Sequence, residues 1–136
     1  MSDDDKHRAQ IFLHRGQLAQ AKTAYEQAVS DDRLANAPRA LSDSLGNLGN
    51  VCALSGDLDQ AEACYWEVLA IQRTERDQQA IAHTLVNLGN LHTGADHPEK
   101  ARPYYLEALD LLLTLKDDRA LGILHTNLAL QEAREG

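Results

Sequence analysis

The sequence has few of the features that mark specialised protein classes. It contains only two cysteines, Cys52 and Cys64, and neither belongs to a Cys-x-x-Cys or histidine-ligand pattern. Because two cysteines are too few for a disulfide scaffold, we expect buried free thiols. The 13 lysines and arginines are outnumbered by 21 aspartates and glutamates, the net charge is -8, and the basic residues form no cluster. We therefore expect no nucleic-acid partner and no anionic membrane partner.

Long apolar runs are also missing. No stretch approaches the roughly 18 consecutive apolar residues of a membrane-spanning helix. The sequence starts with the acidic string MSDDDK, whereas a secretory signal has a basic segment followed by an apolar one. We therefore expect a cytoplasmic protein. Its length of 136 residues and hydrophobic content of 43% suit one domain that can bury a core.

Signatures of catalysis and metal binding are absent from the sequence as well. It has no GxSxG, P-loop or GxGxxG motif. Its histidines have no carboxylate or thiolate at a recognised ligand spacing, and they are His7, His14, His83, His92, His97 and His125. We therefore expect no enzyme, no cofactor and no metal site. An enzymatic function would require a pocket that brings together histidines from distant parts of the chain.

What the sequence does contain is an internal repeat. The segment SLGNLGNVCALSGDLDQAEACYWEVLAI (44–71) recurs as TLVNLGNLHTGADHPEKARPYYLEALDL (84–111), a shift of 40 residues. The same shift leads backwards to residues 14–29 and forwards to residues 125–136. The columns in register include Ala21, Ala61 and Ala101, then Tyr25, Tyr65 and Tyr105, then Leu48, Leu88 and Leu128. Such a period indicates stacked units that each contact only their neighbours.

Each unit has the pattern of two helices. Leu45, Leu48 and Cys52 fall at i, i+3 and i+7, the spacing of one helical face, whereas β-branched residues are sparse and no stretch alternates with period two. We therefore predict an all-α fold with helices near 3–14, 17–31, 39–54, 58–74, 79–93, 98–115 and 119–134. Asp57 and Asp96 are predicted N-caps, because Gln or Glu follows three residues later.

Small residues recur where neighbouring helices should approach closely. Gly49 and Gly89 share one column with Ala9. Glycine inside a helix costs about 1 kcal/mol relative to alanine, so its recurrence favours a packing role. The tyrosine column is predicted to fill the space beside these small residues. We expect a single domain over 1–136, an α-solenoid of units about 2–41, 42–81 and 82–121 with a capping helix at 119–134.

These columns resemble a known family. Leu48-Gly49, Gly56, Ala61, Tyr65 and Leu69, repeated as Leu88-Gly89, Ala101, Tyr105, Ala108 and Leu109, are similar to the tetratricopeptide repeat pattern of helix A, turn and helix B. The usual repeat has 34 residues. The longer spacing resembles the repeats of the Leu-Gly-Asn-rich polarity adaptors and kinesin light chains, which carry similar NLGN and ARPYYLEAL-like strings. The resemblance implies a non-enzymatic protein-interaction scaffold or adaptor whose concave surface is lined by the A helices.

A ladder of asparagines lies on the A helices, at Asn47, Asn50, Asn87, Asn90 and Asn127. An asparagine amide offers an acceptor and two donors, which match the C=O and N–H of a peptide backbone. Packed helices lie about 8–10 Å apart and an extended chain advances about 3.3 Å per residue, so three layers would hold roughly 6 to 9 residues. In the resembling families, asparagines at these positions hold extended peptides. Further groove candidates are Asp43, His83, Val86, Thr93, Thr126 and Leu130.

Two other hypotheses remain open for the same residues. The asparagines could be structural, either bonding between helices or facing water. The chain could also be a structural module that forms a homo-oligomer through the open face of its last helix, at Leu121, Leu124 and Leu128. In the A-helix segments 41–56, 81–95 and 121–131, Asp43 is the only formally charged residue. This uncharged surface favours backbone-directed binding of a protein or peptide partner over electrostatic selection of a basic one.

Overall fold

A computed structural model describes residues 2–135, with side chains described for residues 3–130. Seven helices and no strand occur in this part of the chain. The helices are α1 (Ser2–His14), α2 (Leu18–Leu34), α3 (Pro38–Leu54), α4 (Leu58–Glu75), α5 (Gln78–Gly94), α6 (Pro98–Leu115) and α7 (Asp118–Glu135). The all-α prediction is confirmed, and no predicted helix end differs from the structure by more than three residues.

The turns between helices contain a residue with positive φ at corresponding positions. The turns within the repeats have Gly16 (71°), Gly56 (82°) and Asp96 (63°), and the turns between repeats have Asn36 (51°), Arg76 (58°) and Lys116 (56°). A left-handed residue after a helix lets the following N–H groups bond to the last carbonyls of that helix. The amide of Asp57, for example, donates to the carbonyl of Cys52 at 2.9 Å.

The two predicted N-caps behave differently. Asp57 caps α4 as expected, because its Oδ1 accepts a hydrogen bond from the amide of Gln60 at 3.3 Å. The prediction for Asp96 is wrong, because the N-cap of α6 is His97, which makes no side-chain capping bond. Asp96 instead takes the left-handed position that glycine holds in the earlier repeats. Its backbone geometry therefore serves the preceding turn rather than the first turn of α6.

The chain divides into two compact units, Met1–Ile71 and Gln72–Gly136, with the boundary inside α4. In the first unit α2 packs on both α1 and α3, and in the second unit α6 packs on both α5 and α7. The division into three repeat units and a cap within one domain stays a prediction.

The predicted contact between small residues and tyrosines is confirmed. A Cβ atom added to Gly49 would lie 2.9 Å from Cε1 of Tyr65, and one added to Gly89 would lie 2.4 Å from Cε1 of Tyr105. Both tyrosines are buried. Since real Cβ contacts are essentially never shorter than 3.0 Å, glycine at these positions lets each tyrosine ring rest against the backbone of the A helix.

Polar pairs join a B helix to the next A helix at corresponding positions. In the first unit, the hydroxyl of Ser44 donates to the Asp32 carboxylate at 2.6 Å, and Lys6 Nζ lies 3.7 Å from the same carboxylate. In the second unit, Thr84 Oγ1 donates to Gln72 Oε1 at 2.7 Å. The next pair in the register is apolar, with Leu112 1% exposed and Leu124 0% exposed.

Candidate functional site

In the first unit, the candidate groove residues lie on α3. Asp43 and Asn50 are exposed, and Asn47 is half-buried. The Asn50 Oδ1 atom accepts a hydrogen bond from the hydroxyl of Tyr65 on α4. Because Tyr65 is only 4% exposed, this bond connects an exposed asparagine to the packed core of the repeat.

The second unit places three asparagines on two A helices. Asn87 and Asn90 are exposed on α5, and Asn127 is half-buried on α7. The hydroxyl of Tyr105 donates to Asn90 Oδ1 at 2.7 Å, and Asn127 Nδ2 donates to the same oxygen at 3.2 Å. The structure therefore brings Asn90 and Asn127 together across two helices of the second unit.

These bonds give Asn50 and Asn90 the structural role that the sequence left open as an alternative to peptide binding. The side-chain oxygens of Asn50 and Asn90 bond between helices, which is a structural role, while both side chains remain exposed. The sequence pattern did not predict the tyrosine partners. It did hold a signal for them, since Tyr65 and Tyr105 follow Asn50 and Asn90 at the same separation of 15 residues.

The other groove candidates occupy different surroundings in the second unit. His83 and Val86 line a cavity of about 50 Å³, together with Ala82, Leu112, Ala120 and Ile123. Thr126 is exposed, and its hydroxyl donates to the Gly122 carbonyl of its own helix at 3.0 Å. Thr93 Oγ1 lies 3.1 Å from the hydroxyl of Tyr105, the residue that bonds to Asn90. Leu130 is 60% exposed.

Sequence reasoning missed Ile123, which is 55% exposed and lines the same cavity as His83. The signal was present, because Ile123 occupies the column of Asp43 and His83 in the 40-residue register. Asp43, His83 and Ile123 differ in chemical type, so their column does not form a recognisable sequence motif. What they share is the corresponding position on successive A helices.

The three leucines of α7 that were proposed for self-association are not all exposed in the structure. Leu124 is 0% exposed, and Leu121 and Leu128 are half-buried. Leu124 therefore cannot contact another copy without leaving the core of its own unit, so its prediction as an interface residue is wrong. It packs inward because it takes the place that Ser44 and Thr84 hold in the preceding repeats, where α7 meets α6.

Charged residues of the B helices form ion pairs with residues of the next B helix along the chain. Arg33 contacts Glu67 with both guanidinium nitrogens, at 2.5 and 2.6 Å, and Arg73 contacts Glu107 at 3.0 Å. All four side chains are substantially exposed, so each pair contributes little stability. Their repetition shows that these charges lie on the B helices, away from the asparagine-bearing segments of the A helices.

The cysteines have the surroundings expected of structural thiols. Both are free and buried, and burial raises the pKa of the Cys64 thiol to about 11. A thiol that stays protonated near neutral pH is a poor nucleophile. Within the side chains that the structure describes, no group of three or more His, Cys, Asp and Glu residues is arranged to hold a metal ion.

A larger groove of about 430 Å³ lies between α1 and α2 in the first unit. Its walls include Arg8, Phe12 and Gln27, and none of the asparagines or other candidate residues lines it. The asparagine surface is therefore a separate feature, defined by exposed amides rather than by a deep cavity.

Comparison with known proteins identifies the family. The tetratricopeptide repeat model matches residues 6–74 and 40–114, which together cover most of the chain. The chain therefore belongs to the tetratricopeptide repeat family, whose members are typically non-enzymatic scaffolds for protein–protein interaction. No curated protein sequence matches it. Among the helices that the structure describes, none is both long and apolar enough to cross a membrane.

Two solved structures show the same fold. The crystal structure of BtubC (BKLC) from P. vanneervenii is similar with a TM-score of 0.89 and 19% identity, over 99% of this chain and 56% of that one. The tetratricopeptide repeat domain of FLU from Arabidopsis is similar with a TM-score of 0.75 and 20% identity, over 83% of this chain and 95% of that one. The present chain thus spans little more than half the length of the BtubC chain.

Proposed function

We propose that the chain is a protein-interaction module that binds an extended peptide along its asparagine-bearing A helices. The observation that carries the proposal is the face of α5 and α7 in the second unit. There, exposed Asn87 and Asn90 lie on one helix, and Asn127 bonds to Asn90 from the other. In the first unit, Asn47 and Asn50 repeat the pattern of the α5 pair on α3.

Amide side chains suit a ligand that is recognised through its backbone. Each offers donors and an acceptor, and an extended peptide presents an N–H and a C=O at every residue except proline. Two helices about 8–10 Å apart are separated by about three residues of extended chain at about 3.3 Å each, so each helix would meet roughly every third residue of the peptide. The α5–α7 face therefore fits a short segment whose sequence is only partly specified.

The apolar cavity beside the ladder adds a preference for one type of side chain. Its volume of about 50 Å³ is well below the roughly 150 Å³ of a cavity that holds benzene. His83, Val86 and Ile123 at its wall would contact a small aliphatic side chain of the peptide, whereas an aromatic ring would not fit. This pocket and the amides together define the ligand as an extended, mostly uncharged segment with a small apolar residue.

The test begins with the selection of binding peptides from a random library of capped nonapeptides, with the wild-type protein as the target. The affinity of a selected peptide is then measured for the wild type and for each variant. The double variant Asn87→Ala/Asn127→Ala is expected to bind a selected peptide about 10-fold more weakly, since two hydrogen bonds contribute about 0.5–1.5 kcal/mol each. Asn90 is kept in this variant because it also bonds to Tyr105.

The matched control is Gln20→Ala/Gln27→Ala, which removes two exposed side-chain amides from the B helix α2 in the first unit, where they line the separate groove between α1 and α2. This control is expected to bind as the wild type does. Equal binding by the wild type and the asparagine variant, with helical content unchanged, would rule out the α5–α7 face as the site.

A further inference from the structure

We infer that Tyr65 and Tyr105 are positioning residues that fix the side-chain amides of Asn50 and Asn90 so that both present N–H donors to the ligand. A segment bound at either asparagine would then be recognised there through its backbone carbonyl groups. The inference rests on the proposed peptide-binding function and specifies which half of the peptide group is recognised there.

The hydrogen bonds around Asn90 determine its orientation. Its Oδ1 atom accepts from the Tyr105 hydroxyl at 2.7 Å and from Asn127 Nδ2 at 3.2 Å. A carbonyl oxygen has two lone pairs, so both acceptor positions of this oxygen are used. A ligand N–H group would have to displace one of these bonds, whereas a ligand carbonyl can accept from the amide nitrogen of Asn90.

Asn50 repeats the arrangement in the first unit. Its Oδ1 accepts from the hydroxyl of Tyr65, and burial raises the pKa of Tyr65 to about 12. The phenol therefore keeps its proton near neutral pH and remains a donor. If the Asn50 amide rotated by half a turn, its N–H₂ group would face the hydroxyl of Tyr65, which would then lose Asn50 Oδ1 as the acceptor of its proton.

The tyrosines can fix the amides because they are themselves held firmly. Tyr105 is 1% exposed, and its Cε1 atom would be only 2.4 Å from a Cβ at Gly89. Tyr65 has the same relation to Gly49. Glycine, asparagine and the tyrosine of the next helix thus form one recurring set. The close approach at glycine brings each hydroxyl to the edge of the A helix, beside the adjacent asparagine.

The first repeat provides a natural control within the same chain. Tyr25 occupies the same column and is 2% exposed, but the residue that corresponds to Asn50 and Asn90 is Gln10. Replacing tyrosine by phenylalanine removes only the hydroxyl and keeps the ring. Tyr105→Phe and Tyr25→Phe therefore make the same change at two buried sites, of which only one bonds to an asparagine of the ladder.

The experiment compares these variants by two measurements. In the ligand-free protein, the ¹⁵N–¹H signals of the Asn90 side-chain amide are expected to shift in Tyr105→Phe, with faster hydrogen exchange, and to stay unchanged in Tyr25→Phe. A capped nonapeptide selected against the wild type is expected to bind Tyr105→Phe about 5-fold more weakly and Tyr25→Phe with unchanged affinity. Both affinities are measured under conditions where urea titration shows each variant fully folded.

The outcomes separate this inference from the proposed function. If the nonapeptide binds Tyr105→Phe as tightly as the wild type, or if the Asn90 amide signals do not change, the positioning role is wrong while peptide binding stands. If selection yields no nonapeptide that binds the wild type, the proposed function fails, and carbonyl recognition fails with it. A shift of the Asn90 signals together with weaker binding by Tyr105→Phe alone supports the inference.

Discussion

At the scale of single residues, the contact between glycine and tyrosine is tighter in the second unit than in the first. The nearest ring atom would be 2.4 Å from a Cβ at Gly89 and 2.9 Å from one at Gly49. In both cases the obstacle is the ring of a buried tyrosine. Because a buried ring cannot easily turn away, adding one methyl group at either glycine must shift the packing of the helix pair.

We expect Gly89→Ala to destabilise the protein by about 1 kcal/mol. Overpacking costs about 1–3 kcal/mol, and the better helix propensity of alanine offsets about 1 kcal/mol of this. The control is Gly122→Ala on α7, where an added Cβ meets nothing within 4 Å, so the variant should gain about 1 kcal/mol. Urea denaturation checks both values, and a gain in stability for Gly89→Ala would contradict the packing role.

At the scale of helices, polar pairs join α2 to α3 and α4 to α5. The first pair contains a carboxylate. This is the side chain of Asp32, which is 3% exposed and accepts a hydrogen bond from fully buried Ser44. The second pair, Gln72 and Thr84, is neutral. Sequence periodicity predicted every helix but neither pair, because a polar residue on an apolar face gives no indication of its partner until the helices are packed.

We expect Ser44→Ala to destabilise the protein more than Thr84→Val does. Loss of a hydrogen bond to a charged group costs about 1.5–3 kcal/mol, against about 1 kcal/mol for a neutral one. Gln72 is also half-buried and can turn its amide to water, whereas Asp32 cannot. The free energies of unfolding of both variants provide the measurement. Equal losses would indicate that Lys6, 3.7 Å from Asp32, compensates for the missing hydroxyl.

At the scale of the whole molecule, the net charge of -8 has little to do with the proposed site. The ion pairs of Arg33 with Glu67 and of Arg73 with Glu107 lie on the B helices. In the A-helix segments that carry the asparagines, Asp43 alone is charged. In the proposed function, recognition depends on amide groups and a small apolar cavity rather than on these charges.

This distribution predicts a weak dependence of binding on salt. The affinity of a selected, capped and uncharged nonapeptide should change less than about 2-fold between 0.05 and 0.5 M NaCl, because screening acts on charges and not on amide hydrogen bonds. A titration series over this range measures it. A selected peptide rich in lysine that loses most of its affinity at high salt would show that the acidic surface, rather than the ladder, selects the ligand.

The sequence by itself determined the helices, their order and the columns of the repeat. This was possible because helical periodicity and turn residues are local signals, and the 40-residue register repeats them along the chain. It also led to the correct pairing of Gly49 and Gly89 with the tyrosine column, since small and large residues recurred together.

Only the tertiary structure decided what the side chains of that register do. It bonded the oxygens of Asn50 and Asn90 to tyrosines, buried Leu124, placed Ile123 beside His83, and gave Asp96 a turn conformation in place of a cap. These outcomes depend on distances between different helices and on side-chain rotamers, which no periodicity along one helix contains. The direction in which the Asn50 and Asn90 amides point is therefore a property of the packed repeat.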